Sequence, residues 1–140
     1  YIDKDRIGIK GWSYGGYMSS LAITKGADIF KLAVAVAPVT NWRYYDNIYT
    51  ERYMQTPKEN EKGYDENSPI NHVDKLKGKY LLIHGTADDN VHVQNTYEMT
   101  SALVRANKQF DLFVYPDKNH GIYSRFHLYT KITSFIEDNL

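Results

Sequence analysis

A serine, two adjacent carboxylates and a histidine lie in an order that could carry out acyl transfer. Ser13 stands in Gly11-Trp12-Ser13-Tyr14-Gly15, a G-x-S-x-G pattern. Such a pattern requires a strand before it and a helix after it, so that the hydroxyl projects from a sharp turn. Gly11 and Gly15 are expected to remove side chains that would crowd this turn. The turn would also aim the Tyr14 N–H, at a helix N-terminus, toward an oxyanion forming on the attacked carbonyl. A serine hydroxyl is a weak nucleophile at neutral pH and needs a base within hydrogen-bond reach. His120, in Asp117-Lys118-Asn119-His120-Gly121, is the candidate base, and Asp88 or Asp89, in His84-Gly85-Thr86-Ala87-Asp88-Asp89, is the candidate group that orients it. Residue chemistry alone does not choose between the two carboxylates. The alternatives are plain: a serine capping a helix, acids opening a helix near Val91, and a histidine in a surface turn. His84 precedes the carboxylates and breaks the Ser–Asp–His order, so it reads as structural. His72, His92 and His127 fall on or near helices and read as solvated.

These residues need elements to hold them, and the chain supplies an alternating series. Arg6–Gly11 reads as a strand and Ser13–Lys25 as a helix, with Tyr17, Leu21 and Ala22 at helical spacing and Gly26 as its stop. Lys31–Val39 is nearly continuously apolar, as expected of a strand buried on both faces. Asn41–Met54 reads as loop with short helix, Gln55–Asn67 as an exposed loop, and Ser68–Leu76 as a short helix opened by proline. Lys79–His84 is a third strand. Val93, Tyr97, Thr100 and Val104 mark one face of an amphipathic helix. Phe110–Tyr115 is a fourth strand, and Tyr129, Ile132 and Ile136 mark a last helix. Strand and helix alternate throughout, which predicts an α/β fold with a mostly parallel sheet and helices on both faces. Ser13, the Asp88–Asp89 pair and His120 then each follow a strand end.

Composition bounds the rest. The 140 residues suffice for one domain. With 17 basic and 17 acidic residues the chain is neutral, so nothing electrostatic points to nucleic acid as a partner. There is no cysteine, which excludes disulfides, thiolate metal sites and a cysteine nucleophile. No metal or cofactor is expected. No apolar run approaches the length of a membrane span. The chain starts at Tyr1 without Met, which suggests a piece of a longer protein. The 13 tyrosines against 5 phenylalanines are unusual, and several fall between Tyr44 and Tyr53. Rings with a polar tip suit a half-wet surface.

Four stretches, GWSYGGY, APVTNWRYYDNIYTERYM, YLLIHGTADDNVH and DKNHGI, together resemble the dipeptidyl peptidase IV branch of the prolyl oligopeptidase family, from about Arg6 to the C-terminus. The resemblance implies the C-terminal half of an α/β-hydrolase fold, with residues 1–140 a single partial domain that lacks the upstream strands and β-propeller. It implies a Ser13, Asp88, His120 triad, the first Asp of the pair being the member. It implies that Tyr14, Val39, Trp42, Tyr45, Tyr49 and Val91 line an apolar slot for the residue before the scissile bond. Asn90 would bond a substrate carbonyl, and Arg52 would lie close by. The implied reaction is release of N-terminal Xaa-Pro or Xaa-Ala dipeptides from peptides by a homodimeric parent that is periplasmic, cell-surface or secreted. Prolyl endopeptidase, acylaminoacyl peptidase, esterase and a silent binding or assembly module are the alternatives. The 140 residues alone are expected to be inactive, and to self-associate through the open edge of the first strand.

Overall fold

The computed structural model describes all residues from Tyr1 to Leu140. Four strands, β1 (Gly8–Trp12), β2 (Leu32–Val36), β3 (Lys79–Gly85) and β4 (Asp111–Tyr115), form one parallel sheet in the order β1-β2-β3-β4. Parallel neighbours need a crossover. Helix α1 (Tyr14–Lys25) connects β1 to β2. The aromatic segment, α2 (Asn47–Met54), α3 (Glu61–Glu66) and a 3-10 stretch at Pro69–Lys75 connect β2 to β3. Helix α4 (Gln94–Arg105) connects β3 to β4, and α5 (Arg125–Asn139) follows β4. The outer edge of β1 has no partner strand among these residues. No helix is long and apolar enough to cross a membrane.

The period-two alternation of β2 and β3 divides the core. Leu32, Val34, Val36, Leu81 and Ile83 face Leu128, Ile132 and Phe135 of α5. Ala33, Ala35, Tyr80 and Leu82 face Ile23 of α1 and Met99 and Leu103 of α4. Both faces of the central strands are therefore dry, as their continuous apolar character demands. Tyr80 is fully buried, its hydroxyl donates to Ser20 Oγ at 2.6 Å, and burial raises its pKa far above that of an ordinary tyrosine.

Two readings of the sequence need correction. Gln55–Asn67 is not simply an exposed loop. It contains α3, whose Tyr64 is buried and donates its hydroxyl to Gln55 O at 2.7 Å. Asn60 caps this helix by accepting from the Gly63 N–H, and Arg43 pairs with Asp65 at 2.8 Å while lying over the Tyr64 ring. Helix α4 is present, but Val93, Tyr97, Thr100 and Val104 are not its buried face. Tyr97 and Val104 are exposed, and Asn95, Thr96, Met99, Ala102 and Leu103 turn inward. Two of those inward residues are polar because they are hydrogen-bonded: Asn95 accepts from the Thr40 N–H and the Thr40 hydroxyl, and Thr96 bonds His84. In α5 the buried stripe is Leu128, Ile132 and Phe135, with Tyr129 exposed.

Candidate active site

In a parallel sheet every strand ends on the same side, so the segments after β1, β2, β3 and β4 crowd one edge. Ser13 follows β1 directly, with φ 57° and ψ −117°. A non-glycine residue in that region carries strain on the order of 1–3 kcal/mol and persists only where its surroundings hold it. Two bonds hold Ser13: its N–H donates to Val36 O at 2.8 Å, and its carbonyl accepts from the Tyr17 N–H at 2.9 Å. Gly11 is required, because a Cβ there would run into the Gly15 backbone. Gly15 is not required in the way the pattern suggests, since a Cβ there meets nothing within 4 Å. The close approach falls one residue later. A Cβ on Gly16 would lie 2.8 Å from Val36 O and 3.1 Å from Pro38 Cα, where α1 rests on the end of β2. Tyr14 opens α1, so its N–H is among the helix donors that have no intrahelical acceptor.

His120 reaches this turn from the far side of the sheet. Strand β4 lies three strand spacings from β1, about 14 Å. The segment after β4 returns across that gap in steps. The Asp117 N–H donates to Thr86 Oγ1 and the Ala87 N–H to Lys118 O, while Gly85 leaves room that a Cβ would fill against Lys118 O. Buried Ile122 anchors the return in the core. The last step is a bond from the Trp12 indole N–H to His120 O at 3.0 Å. The residue next to the serine thus grips the backbone of the histidine.

Asp88 is the carboxylate that meets His120. His120 Nδ1 lies 2.7 Å from Asp88 Oδ2, while Asp89 is exposed. Asp88 Oδ1 accepts from the Asn90 and Val91 N–H groups at 3.0 and 2.9 Å. Burial pushes the Asp88 pKa up, but hydrogen bonding from His120, the approach of His84 and the Asn90 N–H outweigh it and hold the carboxyl well below the usual carboxylate range. A carboxylate there requires the Nδ1–H tautomer of His120 and frees Nε2 to accept a proton. No hydrogen bond joins the Ser13 hydroxyl to His120.

The aromatic segment forms a wall beside Ser13. Trp42 and Tyr49 stack with ring centroids 6.3 Å apart, Tyr45 meets Tyr49 edge-on at 5.4 Å, and Tyr14 lies 6.0 Å from Trp42. Such pairs contribute about 0.5–1.5 kcal/mol each beyond area burial. Ser13, Tyr14, Val39, Trp42, Tyr45 and Tyr49 line a cleft of about 100 Å³. Val91 is not on its surface. It is fully buried with Tyr17, Val39, Trp42 and Tyr64, behind the wall. Tyr45 donates its hydroxyl to Asn90 Oδ1 at 2.7 Å, and the Asn90 amide nitrogen donates to no protein group. Arg52 is exposed on α2 and does not line this cleft. A larger cleft of about 380 Å³ shares Tyr14, Trp42 and Tyr49 and adds Tyr17, Thr50, Tyr53, Met54 and Asn67, none of which the sequence singled out as site residues. The helical spacing of Tyr49, Thr50, Tyr53 and Met54 was the available signal. Of the other histidines, His92 is exposed, while His72 and His127 bond Glu66 O and the Tyr115 hydroxyl.

Known proteins resemble the chain along its whole length. The prolyl oligopeptidase family profile matches residues 1–140. The chain is 49% identical over 142 residues to prolyl endopeptidase FAP of Bos taurus and 45% identical over 143 residues to dipeptidyl peptidase 4 of Sus scrofa, in each case across 98% of this chain and 19% of the relative. The crystal structure of Porphyromonas gingivalis dipeptidyl peptidase 4 superposes with a TM-score of 0.97 at 52% identity, covering 100% of this chain and 20% of that one. The chain therefore spans about a fifth of the length of the relatives it matches. With a matching profile along its whole length and an α/β sheet that superposes on a solved relative, the chain belongs to the prolyl oligopeptidase family.

Proposed function

We propose that the full-length protein carrying this chain is a serine exopeptidase of the dipeptidyl peptidase IV type, acting on peptides with Pro or Ala at the second position. The observation that supports it most is the 2.7 Å His120–Asp88 bond, tied through Trp12 to the Ser13 turn beside an aromatic cleft. In this reading Ser13 Oγ attacks the carbonyl carbon, and its proton passes to His120 Nε2. The Tyr14 N–H donates to the oxyanion. Breakage of the C–N bond takes the proton from His120 to the leaving amine and leaves an acyl group on Ser13. Water then repeats the sequence with His120 as base and restores the serine. Asp88 stabilises the imidazolium in both halves.

The slot accounts for specificity. Rigid rings form a small apolar cavity at little ordering cost, suited to a flat proline ring and hostile to charge. Asn90, its carbonyl oxygen occupied by Tyr45, can offer its amide N–H to a substrate carbonyl. The relatives include one named a dipeptidyl peptidase and one named a prolyl endopeptidase. A homodimeric state and a periplasmic, cell-surface or secreted location belong to the same proposal.

Hydrolysis of Gly-Pro-arylamide by the full-length protein should exceed that of a short acyl ester and of the N-acetylated arylamide. A faster ester would overturn the peptidase reading, and equal rates on free and acetylated arylamides would favour an endopeptidase. Tyr49→Ala should lower kcat/KM on Gly-Pro-arylamide about tenfold more than on Gly-Ala-arylamide, since it opens the wall a proline ring rests on. Equal losses on both would mean Tyr49 is not part of that wall.

A further inference from the structure

Asp88 is approached by a second histidine. His84 is fully buried at the end of β3, and its side chain touches Asp88 of the candidate triad and the Val91 backbone behind the aromatic wall. Its Nε2 lies 2.7 Å from Val91 O and 3.2 Å from Asp88 Oδ2, the oxygen that also meets His120. A carbonyl can only accept, so the proton must sit on Nε2. That N–H points at Val91 O and turns its positive edge toward Asp88. His84 Nδ1 lies 2.7 Å from the Thr96 hydroxyl of α4, which can donate to it and so favours the same tautomer. Both nitrogens of this buried ring are engaged, Nδ1 by Thr96 of α4 and Nε2 by Val91 and Asp88 of the segment after β3, so the ring has one orientation and one tautomer.

We infer that His84 is a positioning residue for the hydrolytic reaction, locking the Asp88 carboxylate and the Val91 backbone at the rear of the slot into one rigid unit. The inference rests on the triad reading proposed above. Val91 sits behind Trp42 and Val39, and its N–H donates to Asp88 Oδ1 while its carbonyl accepts from His84. One residue is thereby held to the carboxylate at its nitrogen and to His84 at its oxygen. A shift of the slot's rear wall would be felt at Asp88, and through Asp88 at His120. Position matters on this scale, because a misplacement of about 1 Å can cost about a hundredfold in rate. The charged or titratable groups facing Asp88 are His84 from β3, His120 from the segment after β4, and Tyr45 from the aromatic segment, whose hydroxyl pKa is raised by burial first and then by Asp46, Tyr49 and Asp88.

The test compares His84→Leu, which removes the donor, with His84→Gln, whose amide nitrogen can stand where Nε2 stands, both in the full-length protein. His84→Leu should lower kcat on Gly-Pro-arylamide by about ten- to a hundredfold with KM within about threefold. The acid limb of kcat/KM should move to higher pH, because the carboxylate no longer shares its charge with His84 and stabilises the His120 imidazolium more strongly. His84→Gln should recover most of both effects. Leu and Gln variants that lose activity equally, with the acid limb unmoved, would make His84 a packing residue and overturn the inference. Wild-type kinetics in His84→Leu would overturn it too. Should His84→Leu fail to fold, Thr96→Val decides: it keeps the shape, frees Nδ1, and should shift the acid limb the same way with a smaller loss of kcat, an unshifted profile overturning the inference. Ser13→Ala separates this idea from its foundation. An active Ser13→Ala would sink the triad reading itself, whereas a dead one beside unaltered His84 variants would sink the positioning role alone.

Discussion

Ser13→Ala in the full-length protein is expected to remove about six orders of magnitude of kcat on Gly-Pro-arylamide while leaving affinity for an uncleaved peptide mimic within about twofold. The size follows from the geometry. The slot of Tyr14, Val39, Trp42, Tyr45 and Tyr49 binds through ring surfaces that do not involve the serine hydroxyl. Its apolar contacts persist in the variant, so ground-state binding survives. The covalent route does not, because the hydroxyl that would form the acyl-enzyme is gone. The fold should tolerate the change. Alanine replaces serine at φ 57° with a side chain no larger, and the bonds that hold the turn, from the Ser13 N–H to Val36 O and from the Tyr17 N–H to Ser13 O, are backbone bonds. Pre-steady-state mixing of the wild type with excess chromogenic arylamide should show a burst where acyl-enzyme accumulates, and the variant should show none. Turnover in the variant within tenfold of wild type would dismiss Ser13 as nucleophile.

The parts legible in the sequence are those where local chemistry and tertiary need coincide. The apolar runs of β2 and β3 can only be strands buried on both faces, and Gly26 ends α1 where expected. The Ser13 turn was legible because strand, glycine and helix follow one another within a few residues, although the second crowded position proved to be Gly16 rather than Gly15. Helix α3 was not legible. Glu61–Glu66 has one apolar residue and an internal glycine, so no periodicity announces it, and its reason to exist is the pit that Tyr64 fills beneath Trp42. The face of α4 was misread for a related cause. Its inward Asn95 and Thr96 look solvent-facing until their partners Thr40 and His84 are known, and both partners lie far away in the chain or on another element. His84 reads as structural from its place ahead of the carboxylates and is fully buried, but its approach to Asp88 depends on how the turn after β3 curls, which spacing does not reveal.

That turn also sets the expected outcome of Asp88→Asn, a loss of about four orders of magnitude in kcat. Asparagine has the same shape, and its Oδ1 can still accept from the Asn90 and Val91 N–H groups. Its amide nitrogen must then occupy the place of Oδ2, 2.7 Å from His120 Nδ1. A donor at that place forces Nδ1 to be the acceptor and puts the ring proton on Nε2. The imidazole then meets Ser13 with its N–H and cannot take a proton from it. The same amide also faces His84 Nε2–H, a donor against a donor at 3.2 Å, so the variant should be less stable as well. The sign of the pH dependence follows from the lowered pKa of Asp88. The carboxylate contributes its stability above the ordinary carboxylate range, near about pH 4, and that contribution is lost as pH falls through the lower folded value. The gap in Tm between wild type and Asp88→Asn should therefore be widest at neutral pH and narrow below about pH 4. Asp89→Asn is the control that decides between the neighbours: Asp89 is exposed, and its variant should keep kcat within about threefold and Tm within a degree or so of wild type, as surface substitutions usually do. If Asp89→Asn were inactive and Asp88→Asn active, the carboxylate bonded to His120 would not be the one that orients it during turnover, and the arrangement of the whole edge would have to be read again.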